Sequence, residues 1–275
     1  MRKEIIARAV HANAGTAARY RRALLAAIAE MIADVESAIT QQRKSDPPVL
    51  AQDASPSDQM QKELRSLADH WKKHFDDIAP KVAEVFLKQS FAGTNNAMRQ
   101  ALKAAGWSVD FQMTPAMRDA FDASLAENVG LIRSIPAEYL QRVEGIVMRS
   151  YSAGRDLQTM VREIKALYPK AKRRAELIAR DQSNKSNAIV QRARQKELGI
   201  SEAIWMHSHA GKEPRPTHVN MNGKRYKIEK GMYDSAVKAF IFPGELVNCR
   251  CTGRSVLPWT PSAILATSEH IRSDK

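Results

Sequence analysis

Five side chains in the last third of this 275-residue chain could bind a metal or react: His207, His209, His218, Cys249 and Cys251. Zinc takes three or four His and Cys ligands in a tetrahedral array. A Cys-x-Cys pair can chelate it, although it lacks the spacing of a Cys-x-x-Cys knuckle. Two apart on an extended strand, His207 and His209 would share one face, and so would Cys249 and Cys251. A disulfide between such near neighbours would be strained, so reduced thiols are expected. Other readings stay open. His218 could hydrogen-bond a carbonyl while the thiols fill a small core. A thiol could be redox-active or nucleophilic, its pKa depressed by Arg250 and His218. A metal-dependent, DNA-directed hydrolase or toxin-like effector could use the cluster with Glu245 as base, but the region is poor in the acidic ligands a metal nuclease needs. No P-loop, Gly-rich nucleotide fingerprint or Ser/His/Asp order is present.

The elements that would position these residues form a mostly helical α+β chain. Hydrophobic residues at 44% suffice for a core, and aromatics at 6% are sparse beside abundant Ala, Arg and Lys. Leu24, Leu25, Ile28, Ile32, Val35 and Ile39 recur at helical steps, so residues 1–44 read as one long N-terminal helix. Residues 45–58, with Pro47-Pro48 and Pro56, read as a linker. A helical region follows over 59–149. It has one helix to about 78, a second opened by Pro80 and broken near Gly93, a third capped by Thr114-Pro115, and a fourth from Pro136. Further helices are expected over 156–168 and 170–198, the last closed by Gly199. Strands are expected at 204–206, 224–228 and 247–256, with a hairpin at Asn222-Gly223. A tail occupies 259–275.

The charge of +13 is unevenly spread: residues 170–275 hold 20 Lys/Arg against 10 Asp/Glu. Such an excess either forms a solvated basic surface or attracts polyanions, and duplex DNA bound without base readout is then the expected partner. The helix over 170–198 offers Lys172, Arg173, Arg174, Lys185, Arg192 and Arg194 as phosphate contacts, with Ala171, Ala175, Ile178, Ile189 and Ala193 as its docking face. No apolar run approaches the roughly 20 residues that span a bilayer, so no membrane partner is expected.

Read in order, the C-terminal motifs resemble a known family. Ile178-Ala179-Arg180-Asp181 is followed by Trp205, then Arg215-Pro216-Thr217-His218, Gly223 and Asn248-Cys249-Arg250-Cys251. This series, over about 150–258, resembles the phage Mu F-like minor head proteins, the phage head-morphogenesis family. Many relatives carry an Asp shortly after the Trp; here Ser208 to Glu213 stands instead, with Glu213 as a substitute. The resemblance implies that Arg180-Asp181 packs against the His/Cys cluster. It also narrows the candidate metal set to His218, Cys249 and Cys251, with zinc the one candidate cofactor. It further implies a structural rather than enzymatic protein, made in the bacterial host and carried in the virion, at the portal vertex or capsid interior. Partners would be the portal protein, and the scaffold or major capsid protein.

Overall fold

The computed structural model describes residues 4–44, 56–153, 157–209 and 213–258. Most of the 45–58 linker and the whole 259–275 tail lie outside these residues. The chain divides into two compact units, one of residues 18–85 and 125–179, the other of 1–17, 86–124 and 180–275.

The first unit is helical. It takes in most of α1 (Ala14–Lys44), the first part of α2 (Pro56–Ala104), most of α3 (Pro115–Ser152), α4 (Leu157–Lys165) and the start of α5 (Tyr168–Glu197). On α1, Leu24, Ile28, Met31, Val35 and Ile39 are buried at three- and four-residue steps, so this stripe is as expected from sequence. Polar contacts tie the helices together. Tyr20 Oη donates to Asn128 Oδ1 at 3.0 Å, Trp71 Nε1 donates to Asp34 Oδ2 at 2.8 Å, and Arg133 pairs with Asp76 at 2.7 Å.

Several helix boundaries differ from those expected. α2 runs unbroken through Pro80 and Gly93, and it already includes Pro56, Ser57 and Asp58 of the expected linker. α3 likewise passes through Pro136. An interior proline removes one backbone bond. The buried Phe75, Ala79, Ala83, Phe86 and Leu87 around Pro80, and Ile132, Ile135, Tyr139 and Leu140 around Pro136, hold the flanking turns in place. Thr114 does cap α3 as expected, accepting the Met117 N–H at 3.3 Å.

The second unit contains the sheet. Four antiparallel strands lie in the order β1 (Ile5–Ile6), β6 (Thr252–Leu257), β2 (Glu202–Met206) and β3 (Arg225–Lys227). The N-terminal segment is therefore not helical before residue 14. Ile5 and Ile6 pair with Leu257 and Val256, and Asn13 Oδ1 accepts the Thr16 N–H to start α1. Within β2, Ala203 and Trp205 point inward and their neighbours do not, the two-residue alternation of a half-buried strand.

β2 and β3 are antiparallel, but Asn222-Gly223 does not join them as a tight hairpin. A short helix α6 (Pro216–Met221) intervenes. Asn222 sits at φ −53, ψ 130 and Gly223 at φ +77, a type II turn closed by Lys224 N–H to Met221 C=O at 3.0 Å. A second sheet, β4 (Met232–Asp234) with β5 (Ala239–Ile241), was not foreseen.

The C-terminal half of α5 docks with polar residues, not with Ile189 and Ala193, which are only half-buried. Gln182, Ser183, Ser186, Asn187, Gln191, Arg194 and Gln195 are buried at helical spacing around Val190. Ser186 meets Ser90 at 2.6 Å, and Thr94 donates to Asn187 at 3.1 Å. Gln191 donates to the Val10 carbonyl at 2.9 Å, and Gln195 donates to Ser255 at 2.9 Å. Ser186, Asn187, Gln191 and Gln195 thus find partners from β6, α2 or the N-terminal segment, which offsets the cost of burying them.

Candidate functional site

The site begins with β2. Trp205, fully buried, anchors a core with Ala203, Met221, Tyr226, Ile228, Ile241 and both cysteines. Its ring meets His218 edge-on at 5.3 Å. His218 is carried by α6, which Pro216 starts with its preset φ. Arg215 precedes the helix and donates to the Val247 carbonyl at 2.9 Å, so the same turn binds the cysteine loop.

That loop is pinned from the other side by α5. Asn248 adopts left-handed backbone at φ +60. Its N–H donates to Asp181 Oδ1 at 2.5 Å, and its side-chain oxygen accepts from Arg180 Nε at 2.8 Å. Lys185 balances the buried Asp181 carboxylate at 3.2 Å. Gly244 passes close beneath: a Cβ there would lie 2.8 Å from Ala188 Cβ. These contacts place Cys249 and Cys251, which precede β6 rather than lie on it.

His218, Cys249 and Cys251 are brought together. The Cys249 and Cys251 sulfurs lie 3.5 and 3.6 Å from the same atom, His218 Nδ1. All three ligand atoms fall within 4.8 Å of one another, and all three residues are buried. Both thiols are free. The opposite ring nitrogen, Nε2, lies 3.3 Å from Asp234 Oδ2. That approach is not aligned as a hydrogen bond, and neither atom has another hydrogen-bond partner. Asp234 is completely buried, and its other oxygen accepts the Ala236 N–H at 2.8 Å. Nothing in the sequence pointed to Asp234, since it follows Tyr233 on an unforeseen strand.

The two thiols are shifted in opposite directions. Cys249 is held well below the ordinary thiol range, first by a hydrogen bond from Cys251 and then by His218 and backbone N–H groups, against its burial. Cys251 is pushed up by the same bond and by burial, while the Trp205 indole works the other way. A thiol lowered in this way beside an imidazole suits a nucleophile or a metal ligand.

His207 and His209 do not join the three. β2 ends at Met206, and His209 turns into left-handed backbone at φ +51, so the expected shared face is lost. The two rings meet edge-on at 4.6 Å. The His207 pKa is lowered by burial and by the neighbouring histidines. His207 instead lines a cleft of about 570 Å³, together with Arg180, Arg215, Arg250 and Glu213, which opens onto the cysteine–histidine group.

The DNA-contact candidates separate clearly. Lys172 and Arg173 are exposed. Arg174 is bound to Glu138 at 3.1 Å, Lys185 to Asp181, and Arg192 stacks over Phe242 at 4.3 Å. Arg194 cannot touch DNA: it is 1% exposed, bound to Glu197 at 2.5 Å and to Asn95 at 3.0 Å.

Comparison with known proteins covers this same stretch. The family model described as Phage Mu protein F like protein matches residues 141–254. A Haemophilus influenzae protein, described as an uncharacterized protein, is 33% identical over 144 residues, which make up 52% of this chain and 31% of that protein. The chain thus spans about a third of that relative's length. No solved structure matches. Trp205, the Arg215–His218 turn and the cysteine loop all lie inside the matched segment, so over residues 141–254 the chain is similar to the phage Mu protein F-like family.

Proposed function

We propose that this protein is a minor head protein of a tailed phage or prophage, acting in head morphogenesis through association with the portal. The observation that carries this reading is the Mu F-like match over residues 141–254. The geometry agrees with a structural role. The site's charged groups are largely spent on holding the domain together: Asp181, Arg180 and Arg215 fasten the cysteine loop. The exposed Lys172 and Arg173 supply phosphate contacts to packaged DNA without base readout. Among the described residues no helix is long and apolar enough to cross a membrane. Assembly in the host cell and residence in the virion follow from the same reading.

The test is co-expression with the portal protein of the same phage or prophage. A complex that survives size-exclusion chromatography, and procapsids that contain the chain, are expected. Procapsids that assemble normally and never contain it would overturn the reading.

A further inference from the structure

We propose that His218 Nδ1, Cys249 Sγ and Cys251 Sγ form a zinc site, with Asp234 as the carboxylate that orients His218 and the fourth position turned to the cleft for water. The argument is first geometric. With Zn–S near 2.3 Å and Zn–N near 2.0–2.1 Å, the nitrogen-to-sulfur edge of a tetrahedron is about 3.6 Å. The two sulfurs stand at 3.5 and 3.6 Å from Nδ1. Hydrogen bonding alone explains this poorly, because Nδ1 has one proton or one lone pair to offer and two sulfurs are equally near it. An ion between the three atoms satisfies all of them together.

The second support lies on the far side of the ring. Asp234 is fully buried, and its Oδ2 has only His218 Nε2 at 3.3 Å. A buried carboxylate with no positive partner is costly. When Nδ1 binds a metal, the proton must sit on Nε2, 3.3 Å from Asp234 Oδ2, where a small turn of either side chain would let the polarised ring donate to the carboxylate. This carboxylate–histidine–metal arrangement is a common way to fix the ring and raise its basicity. Two thiolates also neutralise the ion's charge within a buried site. The three residues line the cleft directly, so a fourth ligand has access from that side.

The test uses the full chain, untagged and purified without chelator. Elemental analysis should find about one zinc per chain. Cobalt substitution should give the near-ultraviolet sulfur-to-cobalt charge-transfer band and the visible bands of a four-coordinate site. Cys249→Ser and Cys251→Ser should each reduce the charge-transfer intensity. Because either variant could misfold, Asp234→Asn is the decisive partner. It keeps all three ligands and should retain the cobalt spectrum while binding zinc about 10- to 100-fold more weakly. Folded wild-type chain that takes up no zinc or cobalt, with both thiols freely titratable, would overturn the proposal. So would an Asp234→Asn chain with unchanged zinc affinity, which would remove the orienting role.

Discussion

Asp181 accepts the backbone N–H of Asn248, 67 residues further along, at 2.5 Å, while the adjacent Arg180 holds the Asn248 side chain at 2.8 Å. Two consecutive residues of α5 thereby fix both the backbone and the side chain of the residue that precedes Cys249. A carboxylate accepting a backbone N–H is a charge-assisted bond, stronger than a neutral one.

Asp181→Ala should therefore destabilise the protein by about 2 kcal/mol, the worth of a hydrogen bond to a charged group. Urea unfolding at constant slope measures it. Loss below about 0.5 kcal/mol would show that the clamp is ornamental.

The Asn248 backbone can be separated from its side chain. At φ +60, Asn248→Gly keeps the left-handed conformation and loses the Arg180 bond. Asn248→Ala loses both, and should be the less stable variant by about 1 kcal/mol. Thermal unfolding of the pair decides, and equal midpoints would contradict the strained-backbone account.

Gly244→Ala sets a new Cβ 2.8 Å from Ala188 Cβ, at a residue with φ +84. A loss of about 2 kcal/mol or more is expected from the conformational cost and overpacking together. Ala188→Gly alone should cost about 1 kcal/mol as a helix glycine. In the double variant the clash is relieved, so the two effects should fall short of additive in a double-mutant cycle.

If the chain contacts packaged DNA as proposed, its affinity should depend on Lys172 and Arg173, the exposed pair. Lys172→Gln with Arg173→Gln should lower the salt slope of log affinity by about 2. Arg194→Gln should leave that slope unchanged while destabilising the fold, because the buried guanidinium already serves Glu197 and Asn95. A slope that responds to Arg194 in a fully folded variant would contradict its burial.

Burial raises the phenol pKa of Tyr20, Tyr139 and Tyr226 above the ordinary 10.0. Tyr139 has Glu36 as a further cause, and no hydrogen-bond partner for its hydroxyl. A group whose pKa is raised in the folded state contributes stability that is complete below the unfolded value and lost as pH climbs past it. Stability should thus fall steadily above about pH 10. A tyrosinate absorbance titration should show these phenols ionising only on unfolding, and ionisation near pH 10 in folded protein would refute the effect.

Local order was legible in the sequence wherever a few neighbouring residues decide it. The α1 stripe from Leu24 to Ile39, the Thr114 cap, the Gly199 stop and the alternation around Trp205 all follow from periodicity and backbone preference within a turn or two. The ordered series from Arg180 to Cys251 also identified the cluster of His218 and the two cysteines. Distant partners decided the rest. Ile5 and Ile6 became a strand because β6, some 250 residues away, offered an edge to pair with. Arg194 became a core residue because Asn95 and the Phe111 ring, about 100 and 80 residues away, receive its guanidinium beside the neighbouring Glu197. Asp234 reached His218 only through the β4–β5 sheet. Hydrophobic period is written into neighbouring residues. A polar or charged side chain can be buried only where another part of the chain supplies its partner, and that pairing exists in the tertiary structure alone.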